Sequence, residues 1–222
     1  MEMQIRDIHK KYGARQILRG VDLTLQSGTC VGILGSNGSG KSTLLSILAG
    51  IRPADRGAFL IDGRDLFREP GLREKLVGYV PQGTPLVEEL TAWDNLLLWY
   101  TKAQLQQELA GGLLGKLGLE SFLKMPVSKL SGGMKKRLSI GCAIAGRPPV
   151  LLLDEPMAAL DLACKRDIST YIKAHKALGG MVLMATHDVM ELELCDRWYI
   201  IKDGKLTSFD YTGDLDALVG RL

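Results

Sequence analysis

One stretch of the chain decides the fold: Gly35-Ser36-Asn37-Gly38-Ser39-Gly40-Lys41-Ser42-Thr43, which follows an apolar strand over residues 31–34 and opens an apolar-periodic helix. Its three glycines allow a tight turn in which successive N–H groups and the helix N-terminus point at anionic oxygens. Lys41 would then reach the β- and γ-phosphates of a nucleotide, and the Ser42 hydroxyl would bind Mg²⁺. The stretch therefore predicts a phosphate-binding loop between a strand and a helix.

The composition is that of an ordinary globular protein. Its 222 residues suffice for one large domain or for a domain with an inserted subdomain. The formal net charge of +3 is too small to indicate a nucleic-acid surface, and we expect no nucleic-acid partner. The one tight basic cluster, Lys135-Lys136-Arg137, predicts a solvent-exposed helix face.

The cysteines and the apolar runs bear on location. The four cysteines form no CxxC pair, so we expect reduced thiols in a cytosolic protein. The N-terminus lacks the apolar core of a signal peptide, and no apolar run approaches the ~18 residues of a membrane span. We therefore expect any membrane association to be peripheral. The short tail after Asp210 predicts no fused regulatory domain.

The order of predicted elements indicates an α/β fold. Strands are predicted at residues 3–8 and 21–25, the second with alternating apolar and polar side chains. Strands and helices alternate again after residue 147, with strands at 150–153 and 181–185, helices at 161–178 and 188–195, and a hairpin about Asp203-Gly204. This pattern predicts a mainly parallel sheet around the phosphate loop, preceded by an N-terminal antiparallel β subdomain.

Between these two parts the strand signals vanish. Thr91 caps a first predicted helix, a second covers residues 104–117, and Ser131 caps a third that continues to about residue 145. We predict that residues 91–146 form a helical subdomain inserted into a nucleotide-binding core made of residues 1–90 and 147–222.

Two carboxylates follow an apolar run over residues 150–153. Such a run suits a strand buried on both faces of a parallel sheet, where ligands bind beyond the carboxyl ends of the strands. Asp154 would complement Ser42 at Mg²⁺, and Glu155 would orient or deprotonate an attacking water. The alternative is a pair of solvated carboxylates after a core strand.

A second anion site is predicted where Ser131, Gly132 and Gly133 begin a helix. The free N–H groups of this turn and the positive end of the helix dipole would attract a phosphate. The alternative is an ordinary capped helix.

Taken in order, these motifs resemble the nucleotide-binding subunits of ABC transporters. The resemblance rests on the phosphate loop, Gln82, LSGGM at residues 130–134, LLLDEP at 151–156, AALD at 158–161 and His187, and it covers nearly the whole chain. It implies a P-loop NTPase core, binding of ATP and Mg²⁺, and ATP hydrolysis coupled to transport.

The resemblance also implies a role for each matching residue. Tyr12 would stack on adenine, and the loop over residues 35–43 would wrap the phosphates. Gln82 would approach Mg²⁺ and the attacking water, Asp154 would support the metal, and Glu155 would act as the general base.

The remaining matches concern closure of the site. The resemblance implies that His187 holds the γ-phosphate and that Asp161 crosses a dimer interface. It further implies a head-to-tail homodimer or pseudo-dimer, in which residues 131–133 of one cassette cover ATP on the loop of the other. Such closure would complete the cage around the γ-phosphate and exclude water.

By the same resemblance, an integral membrane permease would be the partner, and the chain would lie at the cytoplasmic face of the cell membrane. The groove between the Gln82 loop and the inserted helices, near Trp93, Leu97 and Trp99, is the predicted docking surface. Met134 stands where glutamine is common and, with the basic residues after it, favours the branch that exports drugs, lipids or polysaccharides. Met157 replaces a common threonine without removing a reacting group.

Two other functions are weighed against this one. A soluble ABC-type ATPase acting on ribosomes or DNA is disfavoured because this chain has one cassette, no long coiled coil and near-neutral charge. A nucleotide-regulated binding subunit with little hydrolysis is disfavoured by the presence of Asp154, Glu155 and His187.

Overall fold

The computed structural model describes residues 1–211 together with residues 213 and 220. Residues 212, 214–219 and 221–222, which make up most of the tail predicted after Asp210, lie outside the described residues. The described part of the chain forms two β-sheets, with helices packed between and around them.

The first sheet is antiparallel and built from the N-terminal part of the chain. Its strands are β1 (Glu2–Tyr12), β2 (Arg15–Gln26), β4 (Arg56–Ile61) and β5 (Arg64–Asp65), in the order β2-β1-β4-β5. The predicted antiparallel β subdomain is confirmed. Both long strands extend beyond their predicted bounds because the β1–β2 ladder continues to the pair Tyr12 and Arg15, past the apolar alternation that marks the strands in the sequence.

The second sheet is mainly parallel, as predicted. Its order is β10-β9-β3-β8-β7-β6, and β10 alone is antiparallel to its neighbour. Every residue of β3 (Cys30–Leu34), β7 (Val150–Asp154) and β8 (Met181–Ala185) is buried, which explains their continuous apolar runs. The remaining strands are β6 (Val77–Val80), β9 (Arg197–Lys202) and β10 (Lys205–Phe209).

Helices cover both faces of this sheet. Alternate residues of β7 point to opposite sides: Leu152 joins an apolar cluster with α1 (Lys41–Leu48), and Leu151 joins one with α6 (Leu162–Ala177). A short helix, α2 (Pro70–Leu76), precedes β6. No helix in the described ranges combines the length and apolar character that a membrane crossing requires.

The helix predicted over residues 188–195 is wrong in length, because α7 covers only Val189–Leu192. Side chains from elsewhere take the carbonyls at its end: Trp198 Nε1 donates to Leu192 O at 3.0 Å, and Lys176 Nζ donates to Leu194 O at 3.1 Å. The backbone beyond Leu192 continues as a tighter turn, in which Leu194 N–H donates to Glu191 O at 3.2 Å and Cys195 N–H to Leu192 O at 3.0 Å.

Between β6 and β7, which are neighbours in the sheet, the chain forms helices. They are α3 (Ala92–Leu97), α4 (Lys102–Gly111), α5 (Gly132–Ala143) and three 3₁₀ helices, Leu114–Leu117, Glu120–Phe122 and Val127–Lys129. The single helix predicted over residues 104–117 is wrong, because α4 ends at Gly111. The Glu108 carboxylate accepts a bond from Leu113 N–H at 3.1 Å there, and two consecutive glycines favour the break.

The predicted solvent-exposed face at the basic cluster is also wrong for two of its three residues. The Lys136 side chain is buried, with 4% of its surface exposed. Arg137 is paired with Asp167 at 3.0 Å and donates to Leu117 O at 3.1 Å. Only Lys135 makes a surface contact, an ion pair with Glu88 at 2.8 Å.

Candidate active site

The phosphate loop turns sharply between β3 and α1, and its glycines make that turn possible. Gly35 has φ +158°, and a Cβ at this position would lie 2.6 Å from both Ile201 O and Ser39 Oγ. Gly40 has φ +113° and immediately precedes α1, whose first intrahelical bond runs from Leu44 N–H to Gly40 O. The loop therefore delivers the N-terminus of α1 to the end of β3, as an anion site requires.

The Lys41 side chain folds into this loop. Its Nζ donates to Gly35 O at 2.6 Å and to Ser36 O at 3.2 Å, and only 6% of the residue is exposed. Burial lowers the pKa of Lys41, and the nearby carboxylates of Glu155 and Asp154 act in the opposite direction. The loop thus holds a buried amine among main-chain groups, where a phosphate would be an added partner.

Three predicted catalytic side chains meet at the end of β7. Gln82 Nε2 donates to Glu155 Oε2 at 2.8 Å, and His187 Nδ1 lies 3.2 Å from Glu155 Oε1. Glu155 has a left-handed backbone, with φ +48°, and its N–H donates to Ala185 O at 2.9 Å. This turn aims the carboxylate across the carboxyl ends of the parallel strands, where ligands bind in open α/β sheets.

Gln82 and Glu155 share one cavity of about 470 Å³ with the phosphate loop. Residues 37–43 line it, together with Ile17 and Arg15 from the antiparallel sheet. Arg15 belongs to no recognisable motif, and sequence reasoning missed it. Its position three residues after Tyr12, at the start of β2, is the one local signal that could have drawn attention to it.

The pair of Ser42 and Asp154 fits a magnesium site. Asp154 is 2% exposed, and its Oδ1 atom is buried without a hydrogen-bond partner among the described residues. Burial raises the pKa of Asp154, and a hydrogen bond from the Ser42 hydroxyl acts against that rise. Within the described ranges no group of three or more His, Cys, Asp or Glu residues could hold a metal ion.

Tyr12 lies at the end of β1 and does not line this cavity. Its ring is 41% exposed, and its hydroxyl accepts a bond from Arg52 Nη1 at 2.8 Å. Lys10 Nζ and Arg52 Cζ each lie 5.5 Å from the ring centroid. Tyr12 pairs with the cavity residue Arg15 in the β1–β2 ladder, so its main chain lies next to a residue that lines the cavity.

The predicted second anion site lies outside the cavity of its own chain. Ser131 caps α5, its Oγ accepting from Met134 N–H at 3.3 Å, and both Ser131 and Gly132 are exposed. A Cβ on Gly133 would lie 2.5 Å from the Cys164 sulfur, so a glycine is needed where α5 meets α6. The exposed Asp161 caps α6 there by accepting from Cys164 N–H at 2.8 Å, which is the main cause of its lowered pKa.

Comparison with known proteins assigns this arrangement to a family. A family profile described as ABC transporter matches residues 18–158. The chain belongs to the ABC transporter family. The Linearmycin resistance ATP-binding protein LnrL of Bacillus subtilis (strain 168) is 33% identical over 98% of this cassette and 72% of its own length.

Two further relatives differ in the direction of transport that their names give. The Nod factor export ATP-binding protein I of Sinorhizobium fredii is 35% identical over 91% of this cassette and 61% of its own length. The sulfate/thiosulfate import ATP-binding protein CysA of Synechococcus elongatus is 34% identical over 92% and 61%. This cassette therefore spans 72% of the length of the first relative and 61% of the length of each of the other two.

Solved structures agree with the fold. The ATP-binding subunit of an ABC transporter matches with a TM-score of 0.85 and 28% identity, over 99% of this cassette and 94% of that chain. A dimeric cassette in a post-hydrolysis state, bound to ADP and Pi, matches with a TM-score of 0.81 and 28% identity, over 94% and 99%. The predicted P-loop NTPase fold is confirmed, and the cassette is an ATP-binding subunit of the ATPase class.

Sequence reasoning missed a second residue, Glu191, which holds the chain segment after Glu155. It is 1% exposed on α7, and its Oε1 accepts from Met157 N–H at 2.6 Å. Burial raises its pKa to about 7, although hydrogen bonds from Thr186 and Met157 act against the rise. Its signal in the sequence is weak, because a glutamate four residues after a histidine is typical of exposed helices as well.

Glu191→Gln should make the cassette more stable at alkaline pH. The unfolded carboxyl loses its proton near pH 4.5 and the folded one near 7, so the free energy of unfolding falls as pH rises through this window. Glutamine keeps an acceptor for Met157 N–H but has no charge to bury. We expect a gain of about 2 kcal/mol at pH 8 and under about 1 kcal/mol at pH 5, measured by urea unfolding. The exposed Glu193→Gln is the control, and an equal gain at both pH values would contradict the assignment.

Proposed function

We propose that this chain hydrolyses ATP in the cavity between the phosphate loop and Glu155. The observation that carries the proposal is the contact of Gln82 and His187 with the two oxygens of the Glu155 carboxylate, beside that loop. A general base needs its carboxylate fixed within hydrogen-bond reach of the attacking water, and these two contacts fix it from both sides. Hydrolysis to ADP and phosphate then follows by in-line attack.

The loop and its surroundings bind the nucleotide. The N–H groups of residues 35–43 would surround the phosphates, and Lys41 Nζ would exchange its carbonyl partners for phosphate oxygens. Tyr12 would stack on the adenine. His187 would donate to the γ-phosphate, and Gln82 would orient the attacking water toward it.

Ser42 and Asp154 would hold Mg²⁺, with the Gln82 amide oxygen approaching it. Once bound, Mg²⁺ would neutralise negative charge on the phosphates. The Oδ1 atom of Asp154 supports this assignment. It is buried and has no hydrogen-bond donor among the described residues, and a bound metal ion would supply the missing partner.

We further propose a head-to-tail homodimer. Ser131 and Gly132 are exposed and lie outside the cavity of their own chain, so their free N–H groups would serve a nucleotide bound by a second copy. Asp161, which caps α6 beside Gly133, would reach across the same interface. The dimeric solved cassette supports this arrangement.

The proposed partner is an integral membrane permease, which would hold the cassette at the cytoplasmic face of the membrane. Leu98 and Trp99 are 60% and 63% exposed after α3, and an apolar groove beside them is lined by Ile51, Pro85 and Leu86. Trp93 packs against the core, so we remove it from the predicted docking surface. An apolar segment of the permease would fill the groove. Export is supported by the name of one relative, the Nod factor export protein, and by Met134 with the basic residues after it, whereas another relative is named for import.

Co-purification from native membranes tests this partner. Tagged Glu155→Gln protein, held with ATP and extracted in detergent, should recover a stoichiometric protein with several membrane spans. The matched variant, which adds Trp99→Asp in the exposed patch, should lose it because a charge would have to enter the apolar groove. Recovery of ribosomal or chromosomal components in place of a membrane protein would instead establish the soluble ATPase alternative. Purified together in liposomes, the two subunits would then be assayed for the direction of transport.

A further inference from the structure

The buried lysine of the basic cluster contacts the segment that carries Gln82. Lys136 Nζ donates to Pro81 O and to Gln82 O, each at 2.9 Å. Lys136 lies in the second turn of α5, whereas Pro81 and Gln82 follow the end of β6. The side chain therefore joins two parts of the chain that are more than fifty residues apart in sequence.

The Gln82 segment depends on such contacts because it has no regular structure of its own. After β6 the chain forms neither helix nor strand until α3 begins at Ala92. The carbonyls of Pro81 and Gln82 are held by the Lys136 amine, and farther along Val87 is held by the side chain of Asn95 at 2.9 Å. The Gln82 side chain leaves this same stretch and reaches Glu155 at 2.8 Å. Gln82 is thus held at its main-chain carbonyl by Lys136 and at its side chain by the Glu155 carboxylate.

Burying the charged Lys136 amine costs free energy, so we expect contacts that offset this cost. Burial lowers the pKa of Lys136, and the surrounding Asp154, Glu191 and Glu155 carboxylates act to raise it. Lys135, one residue earlier on the same helix, pairs with Glu88 farther along the same segment, and this more solvent-exposed ion pair is of the kind that contributes little. The two adjacent lysines thus differ in their surroundings, and only one of them reaches the catalytic region.

We infer that Lys136 is a positioning residue for ATP hydrolysis, holding the Gln82 segment by two main-chain carbonyls so that the Gln82 amide meets Glu155. The inference rests on the proposed function, because it assigns Lys136 an effect that acts through Gln82. It also ties Gln82 to α5, the helix whose first turn forms the second anion site.

A double-mutant cycle between Lys136→Met and Gln82→Ala tests this role. Alone, Lys136→Met should lower kcat about tenfold and leave the Kd for a fluorescent ATP analogue within about twofold, since a displaced amide affects the reaction more than binding. In the Gln82→Ala background the same change should alter kcat by less than about twofold. Lys136→Arg, which keeps two donors, should recover most of the rate, and the control Lys173→Met, an exposed change on α6, should match wild type.

Each other result overturns the inference. Independent losses that multiply in the double variant would show that Lys136 does not act through Gln82. A Gln82→Ala variant with reduced kcat beside an unaffected Lys136→Met variant would reject the positioning role alone and leave the proposed function standing. An unaffected Gln82→Ala variant would reject both. If Lys136→Met does not fold, as judged by circular dichroism, Lys136→Gln is carried through the same cycle and the same criteria apply.

Discussion

Glu155→Gln is expected to lower kcat for ATP hydrolysis by about 10²- to 10⁴-fold, while ATP affinity stays within about threefold. The glutamine amide has nearly the same shape as the carboxylate and can keep a contact with Gln82 or His187. It cannot accept the proton of the attacking water, so only the chemical step is lost. The prediction is checked by steady-state ATPase kinetics together with nucleotide binding on the same preparation.

The control for this variant is Glu193→Gln, an exposed change beyond the site that should keep the wild-type rate. Thermal unfolding of both variants excludes a folding defect, since glutamine tolerates the left-handed φ of +48° at position 155 about as well as glutamate does. Undiminished turnover by Glu155→Gln would remove Glu155 from the role of general base.

Lys41→Ala should weaken ATP binding itself, by about 10- to 100-fold in Kd. The Lys41 amine lies inside the loop, within reach of Gly35 O and Ser36 O, so no other described side chain occupies its place. Alanine removes the charge-assisted hydrogen bonds to the phosphates and leaves an empty space inside the phosphate loop. The prediction is measured by titration with a fluorescent ATP analogue, with the exposed Lys205→Ala as the control. An unchanged Kd would contradict the assignment of the phosphate loop.

The parts of the site that are local in sequence could be predicted. The phosphate loop can be recognised in the sequence because a strand, a glycine turn and a helix N-terminus follow each other within about fifteen residues. Each of these three elements has its own residue signature. The carboxylates at the end of β7 could be predicted for a similar reason, because a fully buried strand appears in the sequence as an uninterrupted apolar run. The roles of Gln82 and His187 came from the family resemblance, and the structure brings both to Glu155.

The parts that depend on distant contacts could not be predicted. Lys135, Lys136 and Arg137 have the same character in sequence, and only the packing of α5 on the Gln82 segment and on α6 buries Lys136 and pairs Arg137 with Asp167. In the sequence, Glu191 likewise looks like any charged residue on a short helix, and only the structure shows its contact with Met157 N–H. Periodicity reports which face of a helix is apolar, and it carries no information about polar residues that are buried with specific partners.

The ends of helices show the same limit. The residues of the predicted helix over 104–117 favour helix throughout, apart from its glycines, and the break after Gly111 depends on where the Glu108 side chain bonds. The predicted helix after His187 stops early because the chain beyond Leu192 turns with i→i−3 bonds, and Asp196 N–H donates to the distant Cys30 O at 2.8 Å.

The central claim is that a complete site needs the phosphate loop of one chain and residues 131–133 of another, and mixing two inactive variants tests it most directly. Lys41→Ala damages the loop, and Gly132→Asp places a carboxylate at the proposed second anion site, where a Cβ would meet no atom of the described residues within 4 Å. Assayed at an ATP concentration near the wild-type Kd, each variant alone should be nearly inactive. An equal mixture should recover about a quarter of the wild-type ATPase rate, because half of randomly paired dimers are mixed and each mixed dimer has one intact site. A mixture no more active than its separate components would contradict the claim.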